Sequence, residues 1–258
     1  MKKGLRNIVG FLLLIGFFVL VSFANNEQEK KLVKNVDVYI NATKGDPFLD
    51  KDDVINLVYS RQDTLVGKPL GNLHLNEVEN LLRKESSVKN AEAYVKHNGD
   101  VHLKVELKKV IARIKPDSTS GFYVDEDGGT MPWLSKYSPR VLTITGHLRN
   151  YNRYLKDSLV DVDLSTHNKL VEDVYDFANY VNKDAFWRSQ IGQVYINQNG
   201  DAILIPLVGN EEFVFGELTD YQNKLNKIKR YYDEIAPKMG WDKYHEVNVK
   251  FDKQIVCK

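Results

Sequence analysis

Residues Ile8 to Ala24 read IVGFLLLIGFFVLVSFA, an uncharged apolar run in which Ser22 is the only strongly polar side chain. A helix that crosses the hydrocarbon core of a bilayer needs about 20 mostly apolar residues, and about 17 at the least. Leu5 brings the run into that range. Lys2, Lys3 and Arg6 precede it, and Glu27 and Glu29 follow it. A Lys/Arg excess on the N-terminal side favours keeping that side in the cytoplasm. The pattern predicts a cytoplasmic N-terminus over residues 1–7, a transmembrane helix over 8–24, and everything after it on the far side of the membrane. A cleaved signal peptide is the competing reading, since Ser22-Phe23-Ala24 fits a small-x-small cleavage site. Both readings export the chain, and no cysteine directly follows the run to carry a lipid.

The exported part is electrically balanced. The chain has 36 basic and 35 acidic residues, a formal charge of +1, with its lysines and arginines scattered. This argues against nucleic acid as a partner. With Cys257 the only cysteine, no internal disulfide can form, and the exported part must hold itself together through its core. Fourteen tyrosines and 11 phenylalanines suit sheet-rich packing.

Residues 25–34 read as a polar stalk. Val36, Val38 and Ile40 then alternate as on a half-buried strand. Asp50 is placed to cap a helix with acids in its first turn and Val54, Leu57 and Val58 on one stripe. A break at Gly67–Gly71 is followed by a short helix, with Asn76 and Glu79 at capping-box spacing and Val78, Leu81 and Leu82 inward. Two strands close the unit. One spans Val88 to Lys96, and the other spans Val101 to Leu107, with His102, Lys104, Glu106 and Lys108 facing out. Asn98-Gly99 joins them as a hairpin. The order is strand, helix, helix, strand, strand, an α+β unit.

Further on, 111–116 leads out of that unit. Gly121 to Pro132 reads as strand, tight turn and return, and Arg140–Gly146 as a strand. An amphipathic helix spans 166–183, capped by Ser165 or Thr166, with Leu170, Val171, Val174, Phe177, Ala178 and Val181 on its apolar stripe. Two strands flank Asn199-Gly200, and Phe213–Phe215 adds a third. A second helix runs from about Leu218 to Ala236 with Leu218, Tyr221, Leu225, Ile228, Tyr232 and Ile235 on one stripe, Lys224, Lys227, Lys229 and Arg230 outside, and Pro237 as its stop. A last strand, His245 to Asp252, turns Val247, Val249 and Phe251 to the core.

The FLDKDDVINLV helix and the VKNAEAYV and GDVHLKVEL strands give residues 35–109 a pattern that resembles a POTRA domain. One such unit directly after one apolar run resembles the bacterial cell-division family FtsQ/DivIB. The YVDEDG…MP hairpin, the VLTITG strand and the later order of hairpin, strand, helix and final strand resemble that family's β-domain over 110–258. The fold class this implies is α+β: a transmembrane helix, a β-α-α-β-β POTRA-like domain, then a mixed α/β domain on a largely antiparallel sheet with two helices. The resemblance implies a non-enzymatic scaffold of the division machinery in the inner membrane, at the septum. It also implies recruitment of membrane-anchored coiled-coil partners of the FtsB/DivIC and FtsL types. Those partners dock by strand addition at the C-terminal strand, which points to Val247, Asn248, Val249, Lys250, Phe251, Asp252, Lys253 and Ile255. An exported, POTRA-containing assembly factor for outer-membrane proteins is the alternative, although no run of barrel strands follows the single unit.

No residue pattern supports catalysis. Asp125-Glu126-Asp127-Gly128 hints at a calcium loop, but Met131, Pro132 and Trp133 occupy the later ligand positions, so it reads as an acidic turn. His97 and His102 have no partner at metal-ligand spacing. Cys257 lies too near the end of the chain for an enclosed nucleophile site. No phosphate loop, dinucleotide fingerprint or serine elbow appears. The expectation is no enzyme activity, no cofactor, no metal and no small-molecule substrate.

Overall fold

The computed structural model describes residues 14–17, 29–42, 48–61, 64–116, 121–134, 136–148 and 169–258. Residues 14–17 are helical, and the rest of the apolar run 8–24 lies outside the described residues. Among the described residues, no helix is long and apolar enough to cross a membrane. The chain divides into two compact units, Met1–Leu107 and Lys108–Lys258, both mixing strands and helices.

In the first unit, β1 (Val36–Asn41) lies parallel to β3 (Val101–Leu107), and β2 (Val88–Val95) lies antiparallel to β3 on its other side. Helices α1 (Lys51–Arg61) and α2 (Leu75–Arg83) share one core with this sheet. That buried cluster is wholly aliphatic, built from residues such as Val38, Val54, Val58, Val78, Leu82, Leu103 and Val105. The start of α1 is fixed locally. Asp50 accepts from the Asp53 N–H (2.9 Å) while Asp53 accepts from the Asp50 N–H (2.8 Å), a reciprocal box that satisfies two otherwise orphan donors.

Three local expectations are corrected here. Val33 is buried and exchanges backbone hydrogen bonds with Lys68 and Gly67, so the end of the supposed stalk belongs to this unit. His74, not a residue paired with Glu79, occupies the cap position of α2, and its side chain makes no capping bond. Glu79 instead points at the sheet, accepting from the Ala93 N–H at 2.8 Å and pairing with Arg83 at 3.2 Å. His102, expected to face out, is only 2% exposed. It does lie on the face away from the helices, but Tyr39 and Tyr94 stack on it at 5.3 and 5.5 Å and roof it over.

The second unit is built on a nine-stranded sheet in the order β12-β11-β10-β9-β8-β7-β4-β5-β6. Its strands are β4 (Val110–Pro116), β5 (Phe122–Asp125), β6 (Thr130–Pro132), β7 (Leu142–Gly146), β8 (Ile191–Ile196), β9 (Ala202–Pro206), β10 (Glu212–Gly216), β11 (Glu246–Asn248) and β12 (Val256–Cys257). The pairs β4/β7, β7/β8 and β10/β11 are parallel and the rest antiparallel, so the sheet is mixed. Residues 111–116, read as leading out of the first unit, belong to β4, the strand between β5 and β7 of the second.

Helix α3 (Lys169–Lys183) buries Val174, Phe177, Ala178 and Val181. A short helix that the sequence reading passed over, α4 (Ala185–Gln190), is capped by the Asp184 carboxylate. Helix α5 (Tyr221–Arg230) continues through a π turn, Tyr231–Ile235, into α6 (Ala236–Met239). Pro237 therefore does not end the helix but sits in the first turn of α6, where a missing N–H is tolerated. The π turn places one more residue per turn. Tyr231, three residues beyond the buried Ile228, and not Tyr232, is the fully buried tyrosine, edge-on to Phe213 at 5.7 Å.

Both Asn-Gly hairpins close with only the glycine left-handed, Gly99 at φ +90° and Gly200 at φ +86°. Each is thus a longer loop with one left-handed residue and not a two-residue I′ turn, which would need both residues at positive φ.

Candidate partner-docking edge

The predicted final strand folds as two short strands and a reversal. Only Glu246–Asn248 forms β11, parallel to β10, in the register Phe213↔Val247. The chain then reverses and returns as β12, which pairs antiparallel to β11 with Val247 opposite Cys257 and Asn248 opposite Val256. The core position expected of Phe251 is corrected accordingly: its side chain is 48% exposed at the reversal. Val247 and Val249 are fully buried. Asp252 and Lys253 are exposed in the turn, and Ile255 is half-buried against the core.

The reversal is held in part by Lys227, which the helical pattern had assigned to solvent. Lys227 Nζ donates to the carbonyls of Val249 (2.9 Å) and Phe251 (2.6 Å). The Asn248 carboxamide oxygen accepts from the Lys250 N–H at 3.0 Å, a local turn bond that competes with strand continuation. Lys250 Nζ reaches Asp201 at 2.7 Å, tying the reversal to the β8–β9 hairpin. Lys224, also expected outside, is 8% exposed. Its Nζ donates to the Glu217 and Thr219 carbonyls (2.7 and 2.9 Å) and lies over the Phe215 ring. Burial holds its pKa below the usual lysine value.

Hydrogen bonding on β12 defines which of its groups face outward. Lys258 N–H donates to the Glu246 carbonyl, and Glu246 N–H donates to the Lys258 carbonyl. That makes Glu246/Lys258 a hydrogen-bonded pair, and alternation then makes Val247/Cys257 a non-hydrogen-bonded one. The N–H and C=O of Cys257 therefore point away from β11. β12 is the terminal strand of the sheet, so among the described residues no further strand meets them. Burial raises the Cys257 thiol pKa, as it would for a small residue packed on the core rather than a reactive thiolate. Cys257 and Lys258 were not among the docking residues that the sequence pointed to. The signal for them was present in the apolar run Ile255-Val256-Cys257 after a polar Asp252-Lys253-Gln254 turn.

Two other places bring functional groups together. A cleft of about 750 Å³ is lined by Arg113, Arg140, Arg188, Ser138 and Ser189 among others. Among the described residues, its wall has no carboxylate, histidine or cysteine, so none of them stands as a general base beside either serine. In the first unit, Asp37, Asp100 and His102 each offer one ligand atom within 4.8 Å of the others. The acidic turn is closed by its own backbone: Asp125 accepts from the Asp127 and Gly129 N–H groups at 3.0 and 2.8 Å.

Residues 109–258 match the family model described as FtsQ/DivIB, C-terminal related, and residues 31–106 match that of a POTRA-like domain. No curated protein matches the chain.

Proposed function

This chain belongs to the FtsQ/DivIB family, and on that premise we propose that it is a non-enzymatic scaffold of the bacterial division machinery. In this reading residues 8–24 anchor it in the inner membrane as a single pass, with 1–7 in the cytoplasm, a POTRA-like domain over 35–109 and a β-domain over 110–258 outside. It captures membrane-anchored coiled-coil partners of the FtsB/DivIC and FtsL types by adding one of their strands to β12. The observation that carries this reading is the open side of β12, whose outward N–H and C=O groups are a template for an incoming strand. The exposed Phe251 ring, at the reversal that precedes β12, supplies the apolar anchor that such contacts need. Confinement of both partners to one membrane raises their effective concentration, so a short edge suffices.

A Cys257→Pro variant tests the docking mode. It removes the outward N–H while leaving the β11 hydrogen bonds of Val256 and Lys258 in place. Capture of the coiled-coil partners in co-purification should fall at least tenfold, with an unchanged circular dichroism spectrum. A Phe251→Ala variant should weaken capture by a smaller factor, and undiminished capture by both variants overturns strand addition. The anchor is tested by the mass of the purified chain, since a mature N-terminus at Asn25 would show cleavage. A fluorescent protein fused at the cytoplasmic end should concentrate at midcell during constriction. Uniform envelope fluorescence would favour the outer-membrane assembly role instead.

A further inference from the structure

We propose that Asp37, Asp100 and His102 form a divalent-cation site on the first unit, of the type suited to Zn²⁺. The parallel register of β1 and β3 sets Asp37 directly beside His102, and Asp100 lies two residues before His102 on the same face. One donor atom from each falls within 4.8 Å of the other two. Ligands about 2.1 Å from a tetrahedral ion stand roughly 3.4 Å apart, so side-chain rotations of about 1 Å close the site around a metal. One imidazole nitrogen and two carboxylate oxygens are a donor set that Zn²⁺ accepts, with the fourth position left to water.

The histidine is held as a ligand needs to be held. Its ring is 2% exposed and lies nearly flat between Tyr39 and Tyr94, at interplanar angles of 11° and 14°. Nε2 faces the Asp37 carboxylate at 3.3 Å. Asp100 is steadied by the side-chain amides of Asn35 and Asn98, neutral donors that leave its charge uncancelled. Among the described residues, no lysine or arginine forms an ion pair with Asp37 or Asp100. Two carboxylates meet there with no lysine or arginine paired to them among the described residues, and a bound divalent ion would relieve their repulsion. It would also pin β1 to the start of β3.

The test is a calorimetric titration of Zn²⁺ into the full chain, untagged and in mild detergent, after treatment with a chelator. One equivalent should bind saturably, with affinity reduced at least tenfold in Asp37→Asn and, separately, in Asp100→Asn. Both substitutions keep side-chain volume and leave the buried ring in place, so the variants should fold. As a readout of the ligand itself, the ring nitrogens of ¹⁵N-labelled His102 should shift on the first equivalent. Undiminished affinity in both variants, absence of saturable binding, or unmoved His102 nitrogens would each overturn the site.

Discussion

β2 and β12 are both outermost strands of their sheets, and the chain treats them in opposite ways. On β2, the outward Ala93 N–H is taken by Glu79 and the outward Ala91 carbonyl by Arg83 (2.6 Å), two side chains of α2 that also pair with each other. The helix thereby closes the edge. On β12, the corresponding groups of Cys257 meet no such side chain among the described residues. An unpaired edge invites association, and proteins usually blunt it. In the function proposed above, the covered edge is a structural border and the open one a docking border. The cores differ in parallel: the buried cluster of the first unit is aliphatic, whereas that of the second includes Phe177, Phe213, Phe215 and Tyr231, which meet in edge-on pairs.

The comparison can be broken at several points. Phe213→Ala removes the ring that β10 places against Tyr231 and Tyr232 and should cost about 3–5 kcal/mol. In urea, the second unit should unfold at lower concentration while the first unit's transition stays put, and a common shift would mean the units do not unfold independently. Lys227→Met removes both donors to the 249–251 reversal and should cost about 1.5–3 kcal/mol. Amide exchange in β12 should quicken more than in β9, and equal exchange would show that the reversal holds itself. Glu79→Ala should cost about 1 kcal/mol and bare the β2 edge, so the variant should self-associate in sedimentation. A monomer at high concentration would make the Glu79 contact incidental.

The smallest effect lies at high pH. Burial, ahead of the nearby Glu211, pushes the Tyr231 phenol up to about 12 and raises that of Tyr232 further. A group whose folded pKa is raised binds its proton more tightly in the native state. Native stability should therefore decline as pH rises past about 10, where unfolded tyrosines ionise. The buried Lys224 acts in the opposite direction, because its folded pKa is lowered and stability rises with pH between that value and 10.5. Tyr232→Phe should move the alkaline unfolding midpoint upward, and an unmoved midpoint would assign the transition to other groups.

Sequence reading succeeded where the determinants are local. The α1 start at Asp50, the Asn-Gly reversals, the acidic turn at Asp125 and the alternation of Val101–Leu107 each depend on residues within a few positions of one another. It failed where a distant group decides. Glu79 has capping-box spacing, yet a strand N–H 14 residues away claims its carboxylate. Lys224 and Lys227 have the spacing of a solvated face, yet carbonyls brought in from the loop after β10 and from the reversal after β11 claim their ammonium groups. His102 alternates outward as expected, and only the register of β1 and β2 brings the two tyrosines over it.

For this protein, the sequence alone determined the order of elements, the apolar run 8–24 and the family resemblance, because periodicity and turn chemistry act along the chain. Tertiary structure alone decided that 246–258 folds back on itself and makes β12, not β11, the border of the sheet. It also decided that Asp37, Asp100 and His102 converge. Both outcomes depend on strand order and register, which are set by burial and hydrogen bonding between segments far apart in the chain.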